Sequence, residues 1–171
     1  PAPRARACRS DLRKSSDGSQ ITIGPGRSAA FPVIEDLVVN RSAYDQILQA
    51  GGFISVRTNS VPDANAIPIS QADAEESMDA AACIGCGACA ATCKNGSAML
   101  FVAARVSSLA KLPQGRVEGA RRAKAMVAKM DELGFGNCTN TGACQAECPK
   151  SISNAHIARL NREFLSAKFE D

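Results

Sequence analysis

The chain has 171 residues, of which 45% are hydrophobic and 22% are charged, so it is expected to fold, as one domain or a domain and a half, and disorder as its main state is excluded. The net charge of the chain is +3, and residues 1–14 alone account for all of it, so the rest of the chain is nearly neutral. Aromatic residues make up only 4% of the chain. A nearly neutral chain with few aromatic rings argues against nucleic-acid binding. A single histidine excludes most hydrolytic sites that combine a histidine base with histidine ligands. No apolar run reaches the length of a membrane span. Because the chain begins with Pro1 and no apolar signal region follows, we expect it to be the C-terminal part of a longer protein.

Short elements are predicted before the cysteine-rich part of the chain. Alternating apolar residues predict a strand over 20–24, and residues 40–49 predict a short helix. Residues 58–71, which include two prolines, predict an irregular connector. Asp73 is placed to cap a helix that continues to residue 82.

Three longer helices are predicted in the second half of the chain. Ser97 is placed to cap the first, whose buried stripe is predicted to contain Met99, Val102, Val106 and Leu109. The second helix runs over 117–133, with Val117 at the start of its buried stripe, and the last spans about 152–168. Four basic residues are predicted on the solvated outer face of the second helix: Arg121, Arg122, Lys124 and Lys129.

Seven of the eight cysteines fall in two runs, Cys83, Cys86, Cys89 and Cys93 in the first and Cys138, Cys144 and Cys148 in the second. A secreted disulfide scaffold would spread an even number of cysteines along a short chain, so these runs favour a metal centre in a reducing compartment. The first run has the C-x2-C-x2-C-x3-C spacing of bacterial ferredoxins. Gly85 and Gly87 permit the tight loop that such a spacing needs, because glycine tolerates positive φ.

The second run repeats the first with Thr141 in the place of the second cysteine. In two-cluster ferredoxins the fourth cysteine of a run ligates the other cluster. This rule assigns a [4Fe–4S] cluster to Cys83, Cys86, Cys89 and Cys148. It assigns a [3Fe–4S] cluster to Cys93, Cys138 and Cys144, with Thr141 at the vacant corner.

Both runs and the helices between them resemble the iron–sulfur subunit of succinate dehydrogenase and fumarate reductase. The resemblance implies a mainly α fold, with an α-helical ferredoxin domain over 37–171 that holds the [4Fe–4S] and [3Fe–4S] clusters. It also implies that residues 1–36 are the C-terminal remnant of a β-grasp, plant-type [2Fe–2S] ferredoxin domain. Cys8 matches the last ligand of that [2Fe–2S] cluster, whose three other ligands would lie upstream in the full-length protein.

The function that the resemblance implies is electron transfer, in a subunit with no catalytic residues of its own. Electrons would pass between a flavoprotein (FAD) subunit and quinone in a membrane-anchor subunit, which in some members also holds haem. The chain would lie peripherally on the cytoplasmic face of a bacterial inner membrane. Lys94 follows Cys93 where many members have proline and then aromatics that reach the quinone, so the resemblance does not extend to a quinone contact from this chain.

Two other functions are left open by the residues. The iron–sulfur subunit of another flavin-linked respiratory complex, of the glycerol-phosphate or heterodisulfide type, usually keeps four cysteines in both runs, and Thr141 argues against it. A zinc-stabilised structural module needs closed sets of four ligands, whereas seven thiols divide as four plus three.

Overall fold

Helices make up most of the chain that the structure describes. A computed structural model describes residues 20–26, 28–55 and 68–169, and within these ranges the architecture is mainly α, as the sequence predicted. The elements in chain order are β1 (Val33–Glu35), β2 (Val38–Val39), α1 (Ser42–Gly51), α2 (Gln71–Ala81), α3 (Ala88–Thr92), α4 (Met99–Ala110), α5 (Pro113–Arg116), α6 (Gly119–Glu132), α7 (Ala143–Ala146) and α8 (Ala155–Phe169).

The two short strands form an antiparallel hairpin just before α1, with Val33 opposite Val39. Asp36 takes a positive φ of 46° in the turn between them. The strand predicted over 20–24 is wrong, because the described residues there are irregular. Alternation over five residues produces a strand only where a neighbouring strand supplies hydrogen-bond partners.

The helix predicted over 40–49 is confirmed as α1, displaced by about two residues. The N-cap residue of α2 is Ser70, so the prediction that Asp73 caps this helix is wrong. Ser70 Oγ accepts a hydrogen bond from the Asp73 N–H at 3.1 Å and donates one to Asp73 Oδ2 at 2.8 Å. Asp73 therefore lies in the first turn of α2 and is hydrogen-bonded to the cap through both its backbone and its side chain. Most of the predicted connector over 58–71 lies outside the described residues.

The helix α4 lies at the centre of the helical packing, in contact with α2, α6 and α8. Nine of its twelve residues are buried, so the one-sided stripe predicted for it is too narrow. Val102 and Val106 are buried, as predicted, whereas Met99 and Leu109 are only partly so. The predicted cap is wrong by one residue, because Ala98 and not Ser97 is at the cap position of α4. Ser97 Oγ still accepts a hydrogen bond from the Met99 N–H at 3.2 Å.

The helix predicted over 117–133 begins at Gly119, after the separate short helix α5. Val117, which was predicted to be buried, lies in the turn between them and is 77% exposed. The last helix begins three residues later than predicted, and Leu160 within it is fully buried. No helix in the described ranges is both long and apolar enough to cross a membrane.

Arg122 is almost fully buried, which corrects its predicted place on the outer face of α6. Its guanidinium donates hydrogen bonds to the carbonyl oxygens of Gly51 at 2.9 Å, Gly115 at 2.8 Å and Phe53 at 2.9 Å. It also lies 3.4 Å from a carboxylate oxygen of Glu118. A buried cation needs such partners, and here they join the C-terminal end of α1 to α6.

Replacing Arg122 by methionine is expected to lower the free energy of unfolding by about 3 kcal/mol, because the Glu118 carboxylate and three carbonyl groups lose a buried partner. Arg121→Met is the matched control, since the Arg121 side chain is 73% exposed and also contacts Glu118; its effect should stay below about 1 kcal/mol. Urea denaturation followed by circular dichroism measures both. Equal destabilisation by the two variants would contradict the role given to Arg122.

Candidate metal centres

Two cavities are bordered by cysteine thiols, and each cavity draws on both cysteine runs. The thiols at the first cavity are those of Cys83, Cys86, Cys89 and Cys148. The thiols at the second are those of Cys93, Cys138 and Cys144, together with the side chain of Thr141. The two groups have the same members as the predicted ligand sets, while their role as ligands stays a prediction. Cys8 lies outside the described residues.

The loops at the two cavities repeat one backbone conformation. Gly87 precedes α3 with φ of 78°, and Gly142 precedes α7 with φ of 75°. The two short helices pack against each other, which brings the two runs together. Each loop also has a second left-handed residue at the matching position, Gly85 with φ of 61° in the first and Asn140 with φ of 53° in the second. The positive φ predicted for Gly85 and Gly87 is confirmed.

Backbone N–H groups point at sulfur atoms in both cavities. The Ile152 N–H donates to Cys148 Sγ at 3.4 Å, and the Asn140 N–H donates to Cys138 Sγ at 3.4 Å. Donors of this kind stabilise a thiolate more than a thiol, because they compensate its negative charge. The N–H groups that contact sulfur in both cavities therefore suit sulfur that is bound to a metal.

Burial controls the acidity of several of these thiols. It raises the pKa of Cys89 to about 12, and it raises the pKa values of Cys83 and Cys144 as well. Burial, followed by the neighbouring thiol of Cys89, also raises the pKa of Tyr44 well above its ordinary value. A thiolate at such a position needs a cation or hydrogen-bond donors beside it, and a bound metal ion would supply the positive charge.

The first cavity rests on a group of buried aromatic rings. Tyr44 and Phe101 stack with centroids 3.8 Å apart and an interplanar angle of 7°. Phe31 meets Tyr44 edge to face at 4.9 Å and meets Phe135 at 5.7 Å. Aromatic residues make up only 4% of the chain, and these four lie together beside one cavity. Sequence reasoning missed Tyr44, whose helix lies far from both cysteine runs along the chain.

The segment after Cys93 is tied to the segment before Cys138. Asn95 Nδ2 donates to the carbonyl oxygen of Asn137 at 2.8 Å and to Thr139 Oγ1 at 3.2 Å. A Cβ atom at Gly136 would lie only 2.0 Å from the Asn95 carbonyl oxygen, so this close approach requires glycine. These contacts hold together two stretches of backbone that border the second cavity.

The donor chemistry of both cavities fits iron–sulfur clusters. Thiols are the ligands that such clusters use, and N–H groups directed at sulfur are a usual part of their surroundings. No disulfide joins any of the seven cysteines that the structure describes. Within the described ranges, no three His, Cys, Asp or Glu side chains are grouped closely enough to hold a single metal ion. The thiols instead border cavities.

Comparison with known proteins agrees with this chemistry. Residues 82–152, which include all seven cysteines of the two runs, match the family model of a 4Fe-4S dicluster domain. The chain is also similar to the succinate dehydrogenase iron-sulfur subunit of Bacillus subtilis (strain 168), with 30% identity over 138 residues, or 78% of this chain. The match covers 54% of that relative, so the chain spans about half its length. The chain is an iron–sulfur protein of the electron-transfer type.

The glycines that begin the two short helices allow a matched test of the first cavity. Gly87→Ala and Gly142→Ala each place a side chain in the left-handed region, at a cost of about 1–2 kcal/mol. A Cβ at position 87 would also lie 3.0 Å from Phe31 Cε2, whereas one at position 142 would meet nothing within 4 Å. We expect Gly87→Ala to be the more destabilising, by about 1 kcal/mol or more. The urea midpoint and the iron content of both variants check this; equal losses would contradict the proposed contact with Phe31.

Proposed function

We propose that this chain is the electron-transfer subunit of a succinate dehydrogenase or fumarate reductase. The proposed [4Fe–4S] ligands are Cys83, Cys86, Cys89 and Cys148. The proposed [3Fe–4S] ligands are Cys93, Cys138 and Cys144. The observation that carries the proposal is the exchange of one cysteine between the two runs: Cys148 borders the first cavity and Cys93 the second. The similarity to the Bacillus subtilis subunit supports the choice of complex.

The crossed grouping favours a two-cluster ferredoxin over separate metal sites. A zinc site usually closes on two nearby C-x2-C pairs, so two independent zinc sites would keep the cysteines of each run together. In two-cluster ferredoxins the fourth cysteine of a run ligates the other cluster. Cys93 and Cys148 follow this ferredoxin pattern, since each borders the cavity that is formed mainly by the other run.

Thr141 supports a three-iron centre at the second cavity. It borders that cavity at the place in the repeat where the first run has Cys86. A hydroxyl is a poorer partner than a thiolate for an iron–sulfur cluster, so three thiols remain for the second centre. Other flavin-linked respiratory complexes usually carry four cysteines in both runs, which makes them the weaker choice.

The chain's own residues hold the two sites close together. Leu100 borders both cavities and is 3% exposed, so the two sites share a buried apolar residue. Ile84, on the loop of the first cavity, is 57% exposed and presents an apolar surface to a partner. Clusters bound at these sites would supply one-electron transfer, and substrate chemistry would belong to the partner subunit.

The partners follow from the proposed complex. A flavoprotein with FAD would exchange electrons with this chain. On the other side of the chain would lie a membrane anchor that binds quinone and, in some complexes, haem. The chain would be peripheral to the membrane, on its cytoplasmic face in a bacterium. Cys8 would contribute to a [2Fe–2S] cluster completed by cysteines elsewhere in the full-length protein.

Single substitutions test the crossed ligand sets. The chain loaded with iron and sulfide should hold about seven iron atoms, four in one centre and three in the other, whereas a zinc protein would be colourless. Cys148→Ser should remove the electron paramagnetic resonance signal of the reduced [4Fe–4S] centre, and Cys93→Ser should remove that of the oxidised [3Fe–4S] centre. Cys8→Ser is the control and should leave both signals in place. If each substitution damaged the centre of its own run, the crossed assignment would be wrong.

Thr141→Cys should add a fourth thiolate to the second centre, which then takes up a fourth iron. The added negative charge should lower its reduction potential, and in the assembled complex this should slow delivery of electrons to quinone while dye-linked succinate oxidation continues. Loss of the [3Fe–4S] signal from the oxidised variant is the measurement. Thr141→Ser, which adds no thiol, should keep the signal. An unchanged signal in Thr141→Cys would show that this side chain is not at the vacant corner.

A further inference from the structure

Tyr44 places a polar group beside the first group of thiols. It lies in α1, is 2% exposed, and its hydroxyl oxygen is 3.4 Å from Cys89 Sγ. Within the described residues its hydroxyl has no other hydrogen-bond partner. A buried tyrosine hydroxyl normally finds a partner, and here that partner is a proposed cluster ligand.

The ring of Tyr44 is held so that the hydroxyl has little freedom to move. It stacks on Phe101 with centroids 3.8 Å apart, and the edge contact with Phe31 at 4.9 Å restrains it from a second direction. Both phenylalanines are buried. The position of the hydroxyl oxygen is therefore set by packing of the ring.

The direction of the hydrogen bond follows from chemistry. A cysteine that ligates iron is a thiolate and has no proton to donate, so the tyrosine O–H must be the donor to Cys89 Sγ. Reduction by one electron increases the negative charge on the cluster and its sulfur ligands. A fixed donor therefore stabilises the reduced state more than the oxidised state.

We propose that Tyr44 is a positioning residue of the first centre. Its hydroxyl donates a hydrogen bond to Cys89 and thereby raises the reduction potential of the [4Fe–4S] cluster bound there. The inference rests on the proposed function, since it requires that cluster. One electron enters on reduction and the hydroxyl keeps its proton, so no proton is exchanged. Tyr44 touches a ligand and not the cluster itself, and it acts through Cys89.

The test is a redox titration of the loaded chain and of Tyr44→Phe, followed by electron paramagnetic resonance. The phenylalanine keeps the stacked ring and removes only the hydroxyl. We expect the first centre of the variant to be harder to reduce, with a change on the order of tenfold in the ratio of reduced to oxidised cluster at a fixed ambient potential, or about 59 mV for a one-electron couple. The second centre, whose cavity Tyr44 does not border, is the internal control and should keep its potential.

A packing variant separates the hydroxyl from the ring. Phe135 also contacts Tyr44, with centroids 5.8 Å apart, but borders neither cavity. Phe135→Leu loosens the aromatic group and keeps the hydroxyl, so it should lower the urea midpoint with little change in the potential of the first centre. If Phe135→Leu lowered that potential as much as Tyr44→Phe, packing would be the cause and the proposal would be overturned.

The chain offers a second, graded test because Tyr44 is its one tyrosine. Expression with 3-fluorotyrosine changes this position alone and makes the phenol more acidic, hence a stronger donor. The potential of the first centre should then rise, opposite to its fall in Tyr44→Phe. The 3-fluorotyrosine experiment tests the role of the Tyr44 hydroxyl even if Tyr44→Phe does not assemble its first centre.

Different results would overturn the proposed function and the role of Tyr44. A loaded parent chain with no [4Fe–4S] signal would overturn the proposed function and this inference together. A parent chain with that signal, and a first-centre potential in Tyr44→Phe equal to or above the parent's, would overturn the role of Tyr44 alone. An unchanged or lowered potential with 3-fluorotyrosine would do the same.

Discussion

The partial burial of seven thiols beside two adjoining cavities is the constraint on which the rest of the structure depends. Burial raises the pKa of Cys89 to about 12 and also raises those of Cys83 and Cys144, so a thiolate there is stable only beside a cation or hydrogen-bond donors. Backbone N–H groups serve Cys138 and Cys148. The loops must hold these donors in place, and the helices must hold the loops.

The helical scaffold meets this requirement by placing α4 beneath both cavities. Leu100 borders each of them, Phe101 borders the first, and the remainder of the helix packs against α2, α6 and α8. Small residues such as Ala103 and Ala104 are fully buried there, which allows neighbouring helices to approach closely. Few aromatic rings are then needed in the core, and four of them lie together near the first cavity.

The helix α1 connects the stability of the fold to the chemistry of the first cavity. Near its C-terminal end the carbonyl of Gly51 accepts a hydrogen bond from buried Arg122, and in its first turn Tyr44 reaches Cys89. The helix α1 is thus in contact with Arg122 near one end and with a thiol of the first cavity near the other. Residues distant in sequence in this way form part of the surroundings of the site.

The cysteine spacing by itself indicated the members of the two thiol groups, through the crossed pattern of two-cluster ferredoxins. It also indicated the left-handed conformations of Gly85 and Gly87, because the shape of a tight loop is encoded within a few residues. Apolar periodicity located the main helices to within a few residues, because this pattern is also local in the sequence. Only the tertiary structure decided the burial of Arg122 and of nearly every side of α4, and it alone brought Tyr44 to Cys89. From the sequence alone, a basic residue on a helix is predicted to be exposed and a tyrosine is predicted to belong to the core. The carbonyl and sulfur atoms that these two residues contact come from segments distant in sequence.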